Sequence, residues 1–222
     1  MGGLRDAFWG ALGAVPPAFW HAFTWLGDSG LLLPASVLIA LLLWLSPGGG
    51  RWTAFSWCLA FGVGGAVIVV SKLAFLGWGV GSARFNFTGF SGHTAISTSV
   101  WSVAFWMVAA RQSPAVRRVA VAAGWALGAG IGASRLAIFA HSVSEVAAGL
   151  LLGIAICLAF LRLVRAQPAP RVPWPVMLLG LLLPLAFQSP GAPAPTQDLL
   201  EAIAVRLAGI ERPYTRDDLH RT

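Results

Sequence analysis

Residues 87–97, Phe-Thr-Gly-Phe-Ser-Gly-His-Thr-Ala-Ile-Ser, place Ser91, Gly92 and His93 at the opening of an apolar run. A helix start there presents free backbone N–H groups and the positive end of the helix dipole, which together bind phosphate. Gly92 lets a ligand approach the backbone closely. The same triplet supports a second chemistry, in which Ser91 is a nucleophile activated by a histidine from elsewhere. Residues 134–146 supply such a histidine: Ser134 and Arg135 close one apolar run and His141 opens the next. His141 and Glu145 are four residues apart, a spacing that puts both on one face of a helix. A carboxylate there accepts one imidazole N–H, fixes the tautomer and leaves the other ring nitrogen as nucleophile or base. Lys72 and Arg135 would add two cations for an anionic group, and His93 a proton for a leaving oxygen.

The elements that carry these residues are apolar. Of 222 residues, 57% are hydrophobic and only 10% charged, against roughly a quarter charged in a soluble domain. The chain therefore reads as one all-α, polytopic membrane bundle. Six segments can cross a hydrocarbon core about 30 Å thick: 30–46, 53–77, 93–110, 118–139, 143–163 and 173–188. The loops holding Arg51, then Arg111, Arg117 and Arg118, then Arg162, Arg165 and Arg171 contain no acid, which places them in the cytoplasm. Residues 78–92 and 140–142 then meet at the outer face, together with both termini. The net charge of +7 follows from this topology and gives no reason to expect nucleic acid as a partner. Ionisable groups at span ends are costly and hence functional candidates: Lys72, Arg84, His93, Arg135, His141 and Glu145 converge on the outer side.

The flanks differ in composition. Residues 1–28 form an aromatic-rich segment broken by Pro16 and Pro17, expected as two short interfacial helices; a kinked extra span is the alternative. No cleavable signal peptide is evident. The catalytic membrane domain spans 29–188. Residues 189–222 comprise a Pro-rich linker and an amphipathic tail helix with Thr196 as cap and Gly209 as stop. Gly62, Gly64, Gly65, Gly124, Gly128, Gly130 and Gly132 read as helix-packing positions. Cys58 and Cys157 read as small packing residues, with neither a disulfide nor a metal site.

These motifs resemble the type 2 phosphatidic acid phosphatase (PAP2) superfamily, whose signatures are K-x6-RP, PSGH and SR-x5-H-x3-D. The third is matched by Ser134, Arg135 and His141, with Glu145 for Asp. The second is matched by Ser91, Gly92 and His93, with Phe90 for Pro. Of the first, Lys72 stands, while Gly79 and Val80 occupy the Arg-Pro positions. The resemblance covers roughly residues 53–163. It implies that His141 attacks phosphorus to form a phosphohistidine, Glu145 orients it, and His93 protonates the leaving oxygen. Lys72, Arg135, Ser91, Ser134 and the N–H groups of Gly92 and His93 would hold phosphate oxygens, without a metal or other cofactor. The missing arginine has one obvious replacement in Arg84; a tail arginine, Arg212 or Arg216, is the other source.

The resulting expectation is a membrane lipid phosphatase at the outer face of a bacterial inner membrane, acting on a phosphomonoester or diphosphate of a lipid in the bilayer. Alternatives remain at this point, among them a non-catalytic scaffold or transporter, to which the altered first motif points. The same phosphohistidine could pass its phosphoryl group to a lipid acceptor. Or the Gly-Phe-Ser-Gly of residues 89–92 could belong to a rhomboid-like intramembrane protease with a Ser91–His141 dyad.

Overall fold

A computed structural model describes residues 2–47, 50–173, 175–176 and 196–221. Nine α-helices occur among them: α1 (Gly2–Gly13), α2 (Pro17–Thr24), α3 (Ser29–Leu45), α4 (Arg51–Trp78), α5 (Gly92–Ala109), α6 (Pro114–Ala137), α7 (Val143–Leu163), α8 (Thr196–Ala208) and α9 (Arg216–Leu219). Single 3-10 turns at Trp25–Gly27 and Ala83–Phe85 join α2 to α3 and interrupt the α4–α5 loop. The fold is an all-α bundle. Five of the six expected spans appear as α3 to α7. Almost all of the expected sixth, 173–188, and the linker 189–195 lie outside the described residues.

Four stretches are long and apolar enough to cross a membrane: Pro17–Leu45, Arg51–Trp78, Pro114–Ala137 and Val143–Leu163. Their outward faces carry Leu41, Phe55, Val63, Val119 and Leu151, all exposed, as suits surfaces solvated by lipid. Helix α5 is absent from that group for a physical reason. It runs through the centre of the bundle, most of its residues are buried, and it carries Thr94, Ser97, Thr98, Ser99 and Ser102. Their hydroxyls are satisfied within the helix: Thr98 Oγ1 donates to Thr94 O at 2.6 Å and Ser102 Oγ to Thr98 O at 2.6 Å, with Ser97 and Ser99 bonding three residues back. A helix screened by its neighbours on every side has no need to be uniformly apolar.

Small residues let those neighbours approach. A Cβ at Gly153 would lie 2.5 Å from Ala95 O, and one at Gly132 would lie 2.8 Å from Val146 Cγ1. Gly124 and Gly128 of α6 sit against the Ser102 and Thr98 backbone, and Gly64 of α4 against Ile156. Gly62 and Gly65 depart from the expectation: a Cβ at either would meet nothing within 4 Å, because both face outward. Cys157 is buried in the core, whereas Cys58 is exposed on the outer side of α4, so only the former packs as expected. The main core lies toward the arginine-bearing end, where the Trp57 ring meets Phe160 edge-on at 5.6 Å and donates its indole N–H to Ser36 O at 3.0 Å.

The N-terminal flank does break into two short helices, with Pro16 as the cap of α2. Yet α2 continues through the 3-10 turn into α3 as one apolar path of 29 residues. Asp28 caps α3, its Oδ1 accepting from Gly30 N at 2.7 Å.

Gly153→Ala should lower the melting temperature in detergent by an amount equivalent to about 1–3 kcal/mol, the cost of overpacking a tight contact. Gly62→Ala should leave it unchanged or slightly raised, since the methyl meets no neighbour and alanine favours the helix. Thermal unfolding followed by circular dichroism checks both; equal shifts in the two variants would overturn the assignment of Gly153 as a contact point.

Candidate active site

At the end of the bundle opposite the arginine-rich loops, α6 stops in a tight turn. The N–H groups of Ala140 and His141 both return to Arg135 O, at 3.0 and 3.3 Å, and Phe139 adopts a left-handed φ of 56°. Ser142 then caps α7 through a capping box: its Oγ accepts from Glu145 N at 3.3 Å while Glu145 Oε2 accepts from Ser142 N at 3.0 Å. Reaching back in this way puts the carboxylate beside His141, whose Nδ1 lies 2.8 Å from Oε2. The expected pairing is therefore formed, by a different route. His141 precedes the helix, and it is the cap rather than a shared helical face that joins the two residues.

Glu145 is fully buried. Its Oε1 accepts from Thr88 N at 2.9 Å and Thr88 Oγ1 at 2.6 Å. Arg216, from α9 of the tail, spans both oxygens, with Nη2 at 3.0 Å from Oε1 and 2.9 Å from Oε2. The other guanidinium arm, Nη1, donates to Asn86 O at 3.0 Å and Asn86 Oδ1 at 2.8 Å.

Around this pair stand the other candidates. Lys72, the chain's sole lysine, donates from Nζ to Gln197 Oε1 of α8 at 3.0 Å. Arg135 donates from Nη1 to Thr24 Oγ1 at 3.2 Å, and its buried Nε has no partner among the described residues. His93 Nε2 is 3.7 Å from Asp28 Oδ2. Gly92 begins α5, where a Cβ would meet only Ile68 at 3.7 Å. No neighbouring side chain crowds that position, so the helix N-terminus is open there. Gly149 is different: a Cβ there would lie 2.7 Å from Ser91 O, so its absence lets α7 seat the loop that leads into α5.

Not every expected residue joins the group through its side chain. Ser91 occupies the N-cap position of α5 but makes no side-chain cap; its buried Oγ is paired with Thr94 Oγ1 at 2.9 Å. No hydrogen bond joins it to His141 among the described residues, so the serine–histidine dyad of the protease alternative is not formed. Ser134 Oγ donates to Ile131 O at 2.6 Å within α6. Arg84 is exposed, its guanidinium 5.4 Å from the Phe85 ring centroid, and no hydrogen bond or ion pair links it to the cluster. Where the resemblance lacks an arginine, Gly79 ends α4 with a φ of 67° and packs under the Tyr214 ring of the tail.

Sequence reasoning missed Thr24, Asp28, Thr88, Gln197 and the role of Arg216. For Asp28 a signal existed: Asp28 and Glu145 are the only acids between Asp6 and Asp198, and both lie at this end. Thr88 stands in the quoted 87–97 stretch, but nothing local tells its hydroxyl from an ordinary loop threonine. Gln197 and Arg216 reach the site only through tertiary docking of a tail that begins more than fifty residues after Glu145.

A model of the PAP2 superfamily matches residues 75–169, which include Ser91–His93, Arg135, His141 and Glu145. An uncharacterized 22.5 kDa protein in cps region of Klebsiella pneumoniae is 42% identical over 205 residues, covering 91% of this chain and 98% of that protein. No solved structure matches the chain.

His141 is held below the ordinary histidine value of 6.5. Burial is the main cause, opposed by the hydrogen bond and charge of Glu145 and reinforced by Arg135 and Lys72. An NMR titration of the imidazole in micelles should show its midpoint below 6.5. Glu145→Gln should lower the midpoint further, because it removes the anion that favours the protonated ring. A midpoint above 6.5, or an upward shift in the variant, would contradict this balance.

Proposed function

Because the chain belongs to the PAP2 superfamily, we propose that it is a membrane lipid phosphatase that hydrolyses a lipid phosphomonoester or diphosphate through a phosphohistidine on His141. The observation that carries this reading is convergence: the His141–Glu145 pair meets Lys72 of α4, His93 of α5 and Arg135 of α6 at one end of the bundle. The unpartnered buried Nε of Arg135 adds a donor that an anion would satisfy.

With Nδ1 engaged by Glu145, the free Nε2 of His141 attacks phosphorus. The N–P bond forms as the P–O bond to the lipid breaks, and the departing oxygen takes the proton of His93 Nε2. Asp28, whose Oδ2 lies 3.7 Å from His93 Nε2, orients that ring toward its task. Lys72, Arg135 and the backbone N–H groups at the start of α5 balance the charge that spreads over the phosphoryl oxygens. In the second step His93 removes a proton from water, which attacks phosphorus. The N–P bond breaks, phosphate leaves, and the His141 lone pair is restored.

A lipid substrate is supported by the apolar surface at the same end. Phe139, two residues from the nucleophile, is 87% exposed, and Trp78, Phe85 and Val143 are exposed as well. Aromatic residues of this kind sit at headgroup level. The arginine-bearing loops at the far end support an orientation with the site at the outer face of the cytoplasmic membrane.

Purified protein should release phosphate from one or more members of a panel of lipid phosphates and diphosphates in the presence of EDTA. His141→Ala should reduce kcat by at least about a thousandfold, as expected on removing a nucleophile. His93→Ala should cost on the order of 10²–10⁴ and be relieved for substrates with better leaving groups. Acid quench should trap an acid-labile phosphoryl group on the wild type and none on His141→Ala. Release that requires a divalent metal, or survives His141→Ala, would overturn the proposal; transfer of label to a second lipid would redirect it to phosphotransfer.

A further inference from the structure

The segment after Thr196 docks as a unit on the site end of α4. Ala204 is fully buried among Phe75, Leu76 and Leu219. A Cβ at Gly77 would lie 3.3 Å from Ala208 Cβ, and Tyr214 N donates to Leu76 O at 2.9 Å. Thr215 and Asp218 close a capping box at the start of α9, and Arg212 clamps Asp218 at 2.7 Å. All of this fixes the backbone on either side of Arg216, whose guanidinium then makes two bonds to Glu145 and two to Asn86. Among the described residues, Glu145 has no other cationic side chain in direct contact except His141. The PAP2 match ends at residue 169, well before this arginine.

We propose that Arg216 is a positioning residue of the active site: by gripping Glu145 from the docked tail, it holds the carboxylate on His141 Nδ1, so that the nucleophile is fully set only when the C-terminal tail is in place. The inference rests on the phosphatase reading of the same site. Geometry gives it a mechanism. Arg216 Nη2 sits between the two carboxylate oxygens while Nη1 is anchored on Asn86, so the planar guanidinium restricts the carboxylate to the orientation that its bonds to Thr88, Ser142 and His141 share. It also divides the anion's charge. Glu145 shared with Arg216 pulls less strongly on the imidazole than Glu145 facing His141 alone.

The charged groups facing His141 are Glu145 from α7, Arg135 from α6, Lys72 from α4 and His93 from α5, with Arg216 behind Glu145. Asp28 stands beyond His93, and Glu201 beside Lys72. Removing Arg216 takes away one cation and frees the anion, so both changes favour protonated His141 and raise the pH at which the nucleophile is lost.

The test uses the full-length protein in micelles and compares Arg216→Ala, Arg216→Lys and, as a control for charge in the same tail, the exposed Arg206→Ala. In Arg216→Ala, kcat should fall by roughly tenfold or more with KM little changed. The acid limb of kcat/KM and the NMR midpoint of His141 should both move to higher pH. Arg216→Lys should recover part of the rate, and Arg206→Ala should behave as wild type. An unchanged kcat with an unmoved acid limb would overturn the inference. So would a rate loss that comes with a lower melting temperature but an unmoved His141 midpoint, since the arginine would then be only a brace for the tail. If the wild type releases no phosphate, the function reading fails by itself; the His141 midpoint in Arg216→Ala still decides this one.

Discussion

A buried carboxylate organises the site end of this protein. Glu145 has no exposure to solvent, and an ionised group in such a place costs several kcal/mol unless paired and fully hydrogen-bonded. Its two oxygens take donors from three separate parts of the chain: Thr88 in the α4–α5 loop, His141 and Ser142 in the α6–α7 turn, and Arg216 in the tail. Satisfying one charge thus fixes the relative position of two loops and the C-terminal segment. The backbone adds a strut, because Ser91 N donates to Glu145 O at 3.2 Å, tying the start of α5 to the first turn of α7. His141 and the N-terminus of α5 are positioned by a common residue.

That arrangement depends on a bundle that brings α5, α6 and α7 unusually close. Gly124, Gly128 and Gly132 of α6 and Gly149 and Gly153 of α7 face α5 and its N-cap, and each contact is too tight for a methyl group. Close approach lets the ends of three helices meet, where bulkier packing would splay them. The hydroxyls on α5 bond back to their own helix, so they stay compatible with an apolar surround. Polarity in the centre and apolarity outside invert the pattern of a soluble bundle, as expected of a protein whose solvent is lipid.

How much of this could be read from residues alone follows from the range of each interaction. The all-α class, the helices α3 to α7 and the cluster of Lys72, His93, Arg135, His141 and Glu145 were legible, because apolar run length and helix-end placement are local properties. The His141–Glu145 bond was legible from a spacing of four, although the helix that spacing implied begins only at Val143. Ser91 was legible as the start of α5 but not its bond to Thr94, since an N-cap position and a capping side chain have the same local sequence. The assignments of Gly62, Gly65 and Cys58 to packing went astray because composition does not say which side of a helix faces lipid. Thr24 and Gln197, and the contact of Arg216 with Glu145, were out of reach in a different way: each arrives from a flank whose docking depends on contacts distant in sequence.

Those flanks matter to the charge balance of the site. Lys72, Arg135 and Arg216 contribute three positive charges, and Asp28, Glu145 and, beside Lys72, Glu201 three negative ones. With both histidines neutral, the group is balanced. Arg216 is taken up by Glu145 and Asp28 stands by His93. Lys72 and Arg135 are therefore the cations left to face a ligand, and their present partners, Gln197 and Thr24, are neutral groups that an anion can replace. The flanks do two things at once: Arg216 is engaged by the carboxylate that holds His141, and Gln197 and Thr24 hold the remaining two cations through neutral hydrogen bonds.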